Sequence, residues 1–155
     1  MKILGKEYIV GASSTGADLY LYGSGQSASV EEGETKTVTF KSKEHTISLK
    51  GTTSTTAATI IVDGVSKAVN KGSSYQFVGD FNIYIKDLFH ATKTGTLSNA
   101  QLLLGADTIH VVNNSQVKVG VDDTTLQNTR AYISGAGNAI TKVVISQSSK
   151  DSTRD

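Results

Sequence analysis

A chain of 155 residues without cysteine holds no disulfide, zinc finger, redox dithiol or cysteine nucleophile, yet it is long enough to bury a core unaided. Fifteen Lys and Arg against fourteen Asp and Glu leave a net charge of +1, balanced in both halves, so no basic field gathers the phosphates of a nucleic acid. Trp and Pro are absent, Ser and Thr make up about a quarter of the chain, and no apolar run approaches the ~20 residues of a membrane-spanning helix.

From the start, Met1-Lys2-Ile3-Leu4 turns polar at once, so no secretory signal is predicted there. Leu19 and Leu21 alternate with Tyr20 and Tyr22, which predicts a strand covered on both faces. Glu31-Glu32-Gly33-Glu34 reads as a turn. Beyond it, Val38 and Phe40, then Ile47 and Leu49, alternate with Thr and Ser. Thr52 to Ala58 is the best linker candidate, although the hairpin after it argues against a hard domain break. That hairpin is Thr59 to Val62, then Asp63-Gly64, then Val65 to Val69, with Asp-Gly supplying the two positive-φ residues of a type I′ turn.

Turns follow at Asn70-Lys71-Gly72-Ser73 and Gly79-Asp80. Phe81, Ile83 and Ile85 share one face, with Asn82, Tyr84 and Lys86 on the other. After the turn at Lys93-Thr94-Gly95, Ile109 to Val112 and Gln116 to Val119 flank Asn113-Asn114 as a second hairpin. Val117, Val119 and Val121 form a single-face set, Gly135-Ala136-Gly137-Asn138 a turn, and Val143 with Ile145 a last strand. Helical signal is thin: Asp122 to Asn128 suits one turn, and neither it nor Lys86 to Ala91 sustains a 3.6-residue period. The expected fold is all-β, an antiparallel sandwich or barrel-like domain, Ig-like or related, with little helix. Its organisation is either one module over 1–155 or two β lobes sharing a core, about 1–52 with 57–147, followed by a polar tail at 148–155.

Chemistry-bearing groups are sparse. His45, His90 and His110 are the first place to look for a metal, but no pair has a short ligand spacing, and hydrogen-bonded strand histidines are the plainer reading. Asp122 and Asp123 with Asp107, Asp80 or Asp87 supply oxygens for a calcium site, although no segment resembles the twelve-residue calcium loop and adjacent Asp before Thr more often caps a turn. Glu31, Glu32 and Glu34 crowd one turn and no Trp offers a sugar platform, which disfavours glycoside hydrolysis. Neither a Gly-x-Ser-x-Gly elbow nor a phosphate loop occurs; Gly23-Ser24-Gly25 and Gly135-Ala136-Gly137 precede no helix. No catalytic, cofactor-binding or metal residue is therefore assigned. Asn113-Asn114-Ser115 is an N-glycosylation acceptor at a hairpin tip, and equally a plain Asn-Asn turn. Tyr20, Tyr22, Tyr75, Tyr84 and Tyr132 either form an interface or cover strand faces.

Several stretches taken in order resemble modules of archaeal surface-layer (S-layer) proteins. They are Leu4 to Val10, Gly33 to Val38, Lys43 to Leu49, Ile60 to Val65, Lys71 to Tyr75, Ile83 to Phe89 and Leu102 to Ala106. The likeness spans residues 3–147; each motif is a turn glycine or an alternating strand, and only their order is specific. The resemblance implies an extracellular, non-catalytic structural module that self-assembles into a cell-surface coat, binds no cofactor with calcium as the one candidate, and touches copies of itself or neighbouring modules. It also implies that a signal and an anchor lie outside this chain. The alternative is an extracellular binding or adhesion module: carbohydrate-binding, viral or filament-forming. Strand addition at Met1 to Val10 or Ile140 to Asp155 is a route of association for either.

Overall fold

The computed structural model describes residues 1–3, 5–23, 25–120, 122–136 and 139–148, without the Ala136 side chain. Leu4, Ser24, Val121, the second half of the turn at 135–138 and the tail from 149 onward lie outside the described residues.

In chain order the strands are β1 (Lys2–Ile3), β2 (Lys6–Val10), β3 (Asp18–Gly23), β4 (Gln26–Glu31), β5 (Thr35–Phe40), β6 (Lys43–Thr52), β7 (Ala57–Val62) and β8 (Val65–Asn70). They continue with β9 (Ser74–Val78), β10 (Phe81–Phe89), β11 (Asn99–Leu104), β12 (Asp107–Val112), β13 (Lys118–Val119), β14 (Thr124–Thr125), β15 (Thr129–Ala136) and β16 (Ala139–Gln147). The fold is all-β, every strand pair is antiparallel, and no helix occurs among the described residues. Hence no helix there is long and apolar enough to cross a membrane. The single helical turn entertained at Asp122 to Asn128 holds β14 instead, and Lys86 to Phe89 continues β10.

The chain divides into two compact units, Met1–Gly23 with Asp107–Asp155, and Ser24–Ala106, so the second is inserted into the first. This division differs from the expected lobes of 1–52 and 57–147. Of the Thr52 to Ala58 stretch, only 53–56 connects β6 to β7 within the inserted unit, closed by Thr53 N–H donating to Ala57 O.

The inserted unit is a β-sandwich of two four-stranded sheets, ordered β4-β11-β10-β9 and β5-β6-β7-β8. Period-two alternation builds its core: Val30, Ile47, Leu49, Ile60, Val62, Ile83, Ile85 and Leu102 are fully enclosed. A bulge between Ile85 and Asp87 shifts the β10 register, so Leu88 also turns inward. The other face of β10 is buried as well at Asn82 and Tyr84. Asn82 Nδ2 donates to Ala106 O at 3.0 Å, which meets part of the cost of burying the amide. The Asp63-Gly64 turn forms as expected, with φ of 47° and 83°.

The outer unit places a six-stranded sheet, β1-β2-β3-β12-β13-β14, with a lone hairpin, β15-β16. Its core is smaller: Leu19 and Leu21, Val111, Val117, Ala131 and Ile133, with Ile3, Ile109, Val119, Ile140 and Val143 partly buried against them. The expected strand from Gln116 shortens to Lys118 and Val119, because Leu126 N–H takes the Val117 carbonyl and Thr129 Oγ1 takes the Val117 N–H.

Candidate functional site

Two polar clusters centre on histidines, and both are products of strand register. In the outer unit His110 on β12 lies directly opposite Tyr20 on β3 and opposite Lys118 on β13. The imidazole stacks on Tyr20, with centroids 4.2 Å apart and planes at 15°. Asp18, two residues before Tyr20 and on the same strand face, brings Oδ1 to 2.5 Å from His110 Nε2. Asp123, held at positive φ in the β13–β14 turn, brings Oδ2 to 3.0 Å from Nδ1 and 3.5 Å from Lys118 Nζ. Both ring nitrogens thus face carboxylates, which when ionised only accept. Burial, and then the nearby Asp18 and Asp123 charges, push the Tyr20 phenol above its ordinary pKa, so it stays protonated at neutral pH.

In the inserted unit His45 on β6 is buried and stacks on Phe81 of the facing sheet, with centroids 4.4 Å apart and planes at 6°. Its Nδ1 lies 2.7 Å from Asp63 Oδ2, and the other Asp63 oxygen accepts the Thr46 N–H at 2.8 Å. The His45 hydrogen bond, then the Thr46 N–H, hold the Asp63 carboxyl below the usual range. One turn residue therefore shapes the β7–β8 hairpin and ties it to β6. His90, beyond β10, has only the Thr52 hydroxyl, 2.8 Å from Nδ1. No carboxylate orients that ring among the described residues, so the pair lacks the third group of a nucleophile–base–orienter set.

The three histidines, considered together as metal candidates, are each committed to separate partners, and no three His, Asp or Glu among the described residues gather as metal ligands. Of the five aspartates considered for calcium, four are engaged: Asp80 with Lys41, Asp87 with Lys71 and the Leu88 N–H, Asp107 with Lys6 at 3.9 Å, and Asp123 with His110 and Lys118. Glu34 accepts the Glu31 N–H, closing the acidic turn. Asn113 is exposed, but its Oδ1 accepts the Ile133 N–H at 2.9 Å and so helps hold β15. Of the tyrosines considered for an interface, Tyr22 and Tyr84 are buried within the fold, while Tyr75 and Tyr132 are exposed. Sequence reasoning passed over Asp18 and the pairing of Asp63 with His45. Asp18 reaches His110 from 92 residues away, and only the β3–β12 register joins them.

The outer unit also carries apolar surface. Between its sheet and the β15–β16 hairpin runs an open groove of about 650 Å³, lined by Ile3, Ile109, Val119, Ile140, Val143 and Ile145 among others, with Lys2 and Lys142 at its rim. Across the hairpin, on its opposite face, Tyr132 and Val144 pair directly and are 44% and 39% exposed. The chain matches no protein-family model, no curated protein and no solved structure.

Proposed function

We propose that this chain is a non-catalytic structural module of an S-layer-like cell-surface protein, working outside the cell through contacts with copies of itself or neighbouring modules. The observation that supports this reading most is the β15–β16 hairpin, which leaves apolar side chains exposed on one face and an aliphatic groove open on the other. Contiguous apolar surface of this kind marks an interaction site. The histidine clusters fit the same reading, because each ring nitrogen with a described partner is used to hold strands and turns together.

The groove also gives some support to a binding or adhesion module. Its lining is aliphatic rather than aromatic, which suits the side chains of another strand better than the face of a sugar. Sedimentation of the purified chain, with and without millimolar calcium, together with electron microscopy of concentrated samples, tests the coat reading. Concentration-dependent assembly and ordered sheets are expected. A chain that stays monomeric while a glycan array returns specific hits transfers the assignment to the binding module. Labelling of intact against permeabilised cells of the source organism tests the extracellular location.

A further inference from the structure

Resting on the self-association reading, we infer that β16 of one chain pairs antiparallel with β16 of a second copy, about a two-fold axis at Val144. β16 is nine residues long and pairs with β15 alone among the described residues. Ser148 N–H donates to Asn128 O on the β15 side, in register with the Arg130–Ser146 and Tyr132–Val144 pairs. By the two-residue alternation of an antiparallel ladder, the backbone groups of Val143, Ile145 and Gln147 therefore point to the open edge. Natural edges of this length are usually blunted by proline, repeated charge or bulges along their run. Here the bulge opposite Ser134 and Gly135 puts its extra residue, Thr141, in β16, the one charge is Lys142, and the stretch from Val143 to Gln147 carries neither.

The sequence of β16 fits itself in one register. With Val144 on the axis, Val143 lies opposite Ile145 of the second copy, and Ile145 opposite its Val143. Lys142 falls opposite Ser146 rather than another lysine, and Thr141 opposite Gln147. Moving the axis to Val143 sets Lys142 against Val144, and moving it to Ile145 sets Val144 against Ser146, so either shift breaks apolar pairs. An antiparallel pair of identical strands is itself two-fold symmetric, which makes the contact isologous and closed. Val143 and Ile145 already line the groove. Their counterparts from the second copy extend the hairpin layer over it and make a four-stranded layer, β15-β16-β16-β15. The register pairs Thr141 to Gln147, seven residues at about 3.3 Å each, so the shared edge is about 23 Å long, and two such edges with side chains on both faces cover somewhat under about 1,000 Å², the size of a weak, reversible contact.

Val144 gives a sharp test because it is exposed in the single chain and meets only itself in the pair. The full chain, V144K and V144E are compared by sedimentation up to about 100 μM, a range that detects micromolar dimers. Circular dichroism checks that each variant is folded. The unaltered chain is expected to dimerise, each variant to dissociate at least tenfold more readily, and an equimolar mixture of the two to recover dimer. In the unaltered chain, the Val143, Ile145 and Gln147 amides should exchange more slowly as concentration rises. If the unaltered chain assembles but neither variant weakens it, the β16 contact is refuted while self-association stands. If both variants weaken assembly and the mixture does not recover it, the two-fold register is refuted. An unaltered chain that is monomeric throughout refutes both the contact and the coat reading.

Discussion

Replacing His110 by Phe removes both ring nitrogens while keeping a ring on Tyr20, and so isolates what their contacts with the two carboxylates contribute. A hydrogen bond to a charged partner nets roughly 1.5–3 kcal/mol when buried. Here the Asp18 and Asp123 side chains are 41% and 44% exposed, so water replaces part of each lost bond. That discount brings each contribution to about 1 kcal/mol, and His110→Phe is expected to cost about 2 kcal/mol in total. His110→Ala loses the stacking contact and leaves a void as well, which adds about 1–2 kcal/mol. Asp18→Asn, which weakens one bond and leaves the other, should cost about half as much as His110→Phe. Urea unfolding followed by tyrosine fluorescence and far-ultraviolet circular dichroism reads all three, since the chain has six Tyr and no Trp to obscure them. A His110→Phe chain within about 0.5 kcal/mol of the original refutes a stabilising role for the carboxylates. Equal losses for Phe and Ala refute the stacking contribution.

Acid should destabilise the inserted unit through Asp63. A carboxyl held below its ordinary pKa contributes stability that is present above about pH 4, its unfolded range, and is lost as pH falls through the lower folded value. Asp63→Asn, which keeps the tolerance for positive φ at the turn, should flatten that acid limb in urea midpoints measured from about pH 5 downward; an unchanged slope excludes Asp63 as its source. Phe81→Ala removes a fully enclosed ring that also stacks on His45 and lies 5.1 Å from the Phe40 ring, and should cost about 3–5 kcal/mol; a loss near 1 kcal/mol would mean that the two sheets do not meet there. Gly105→Ala places a Cβ 2.2 Å from the Phe40 ring at a φ of +60°, so the variant should unfold at lower urea. Adding Phe40→Leu should recover part of that loss, and a strictly additive double variant sinks the steric account.

Much of the fold is legible in the linear pattern. Alternation of Val38 with Phe40, Ile47 with Leu49, and Phe81 with Ile83 and Ile85 writes strands with one apolar face, and those residues line the sandwich core. Asp63-Gly64 writes its turn because few other residue pairs accept two positive φ values in succession. These features are local: a strand's two faces and a turn's backbone are fixed by neighbours in sequence. Which strands meet is decided by pairing across long separations, and no local pattern encodes it. The β3–β12 register brings Asp18 to His110, and the facing of two sheets sets Phe81 on His45. Burial of Asn82 and Tyr84 on the second face of β10, and the continuation of the outer unit after an inserted sandwich, likewise arise from tertiary packing. Composition and periodicity by themselves determined an all-β chain without disulfides. Only the assembled sheets decided that β16 keeps an edge unpaired among the described residues beside an apolar groove, because an edge exists only once every other strand has chosen its neighbours.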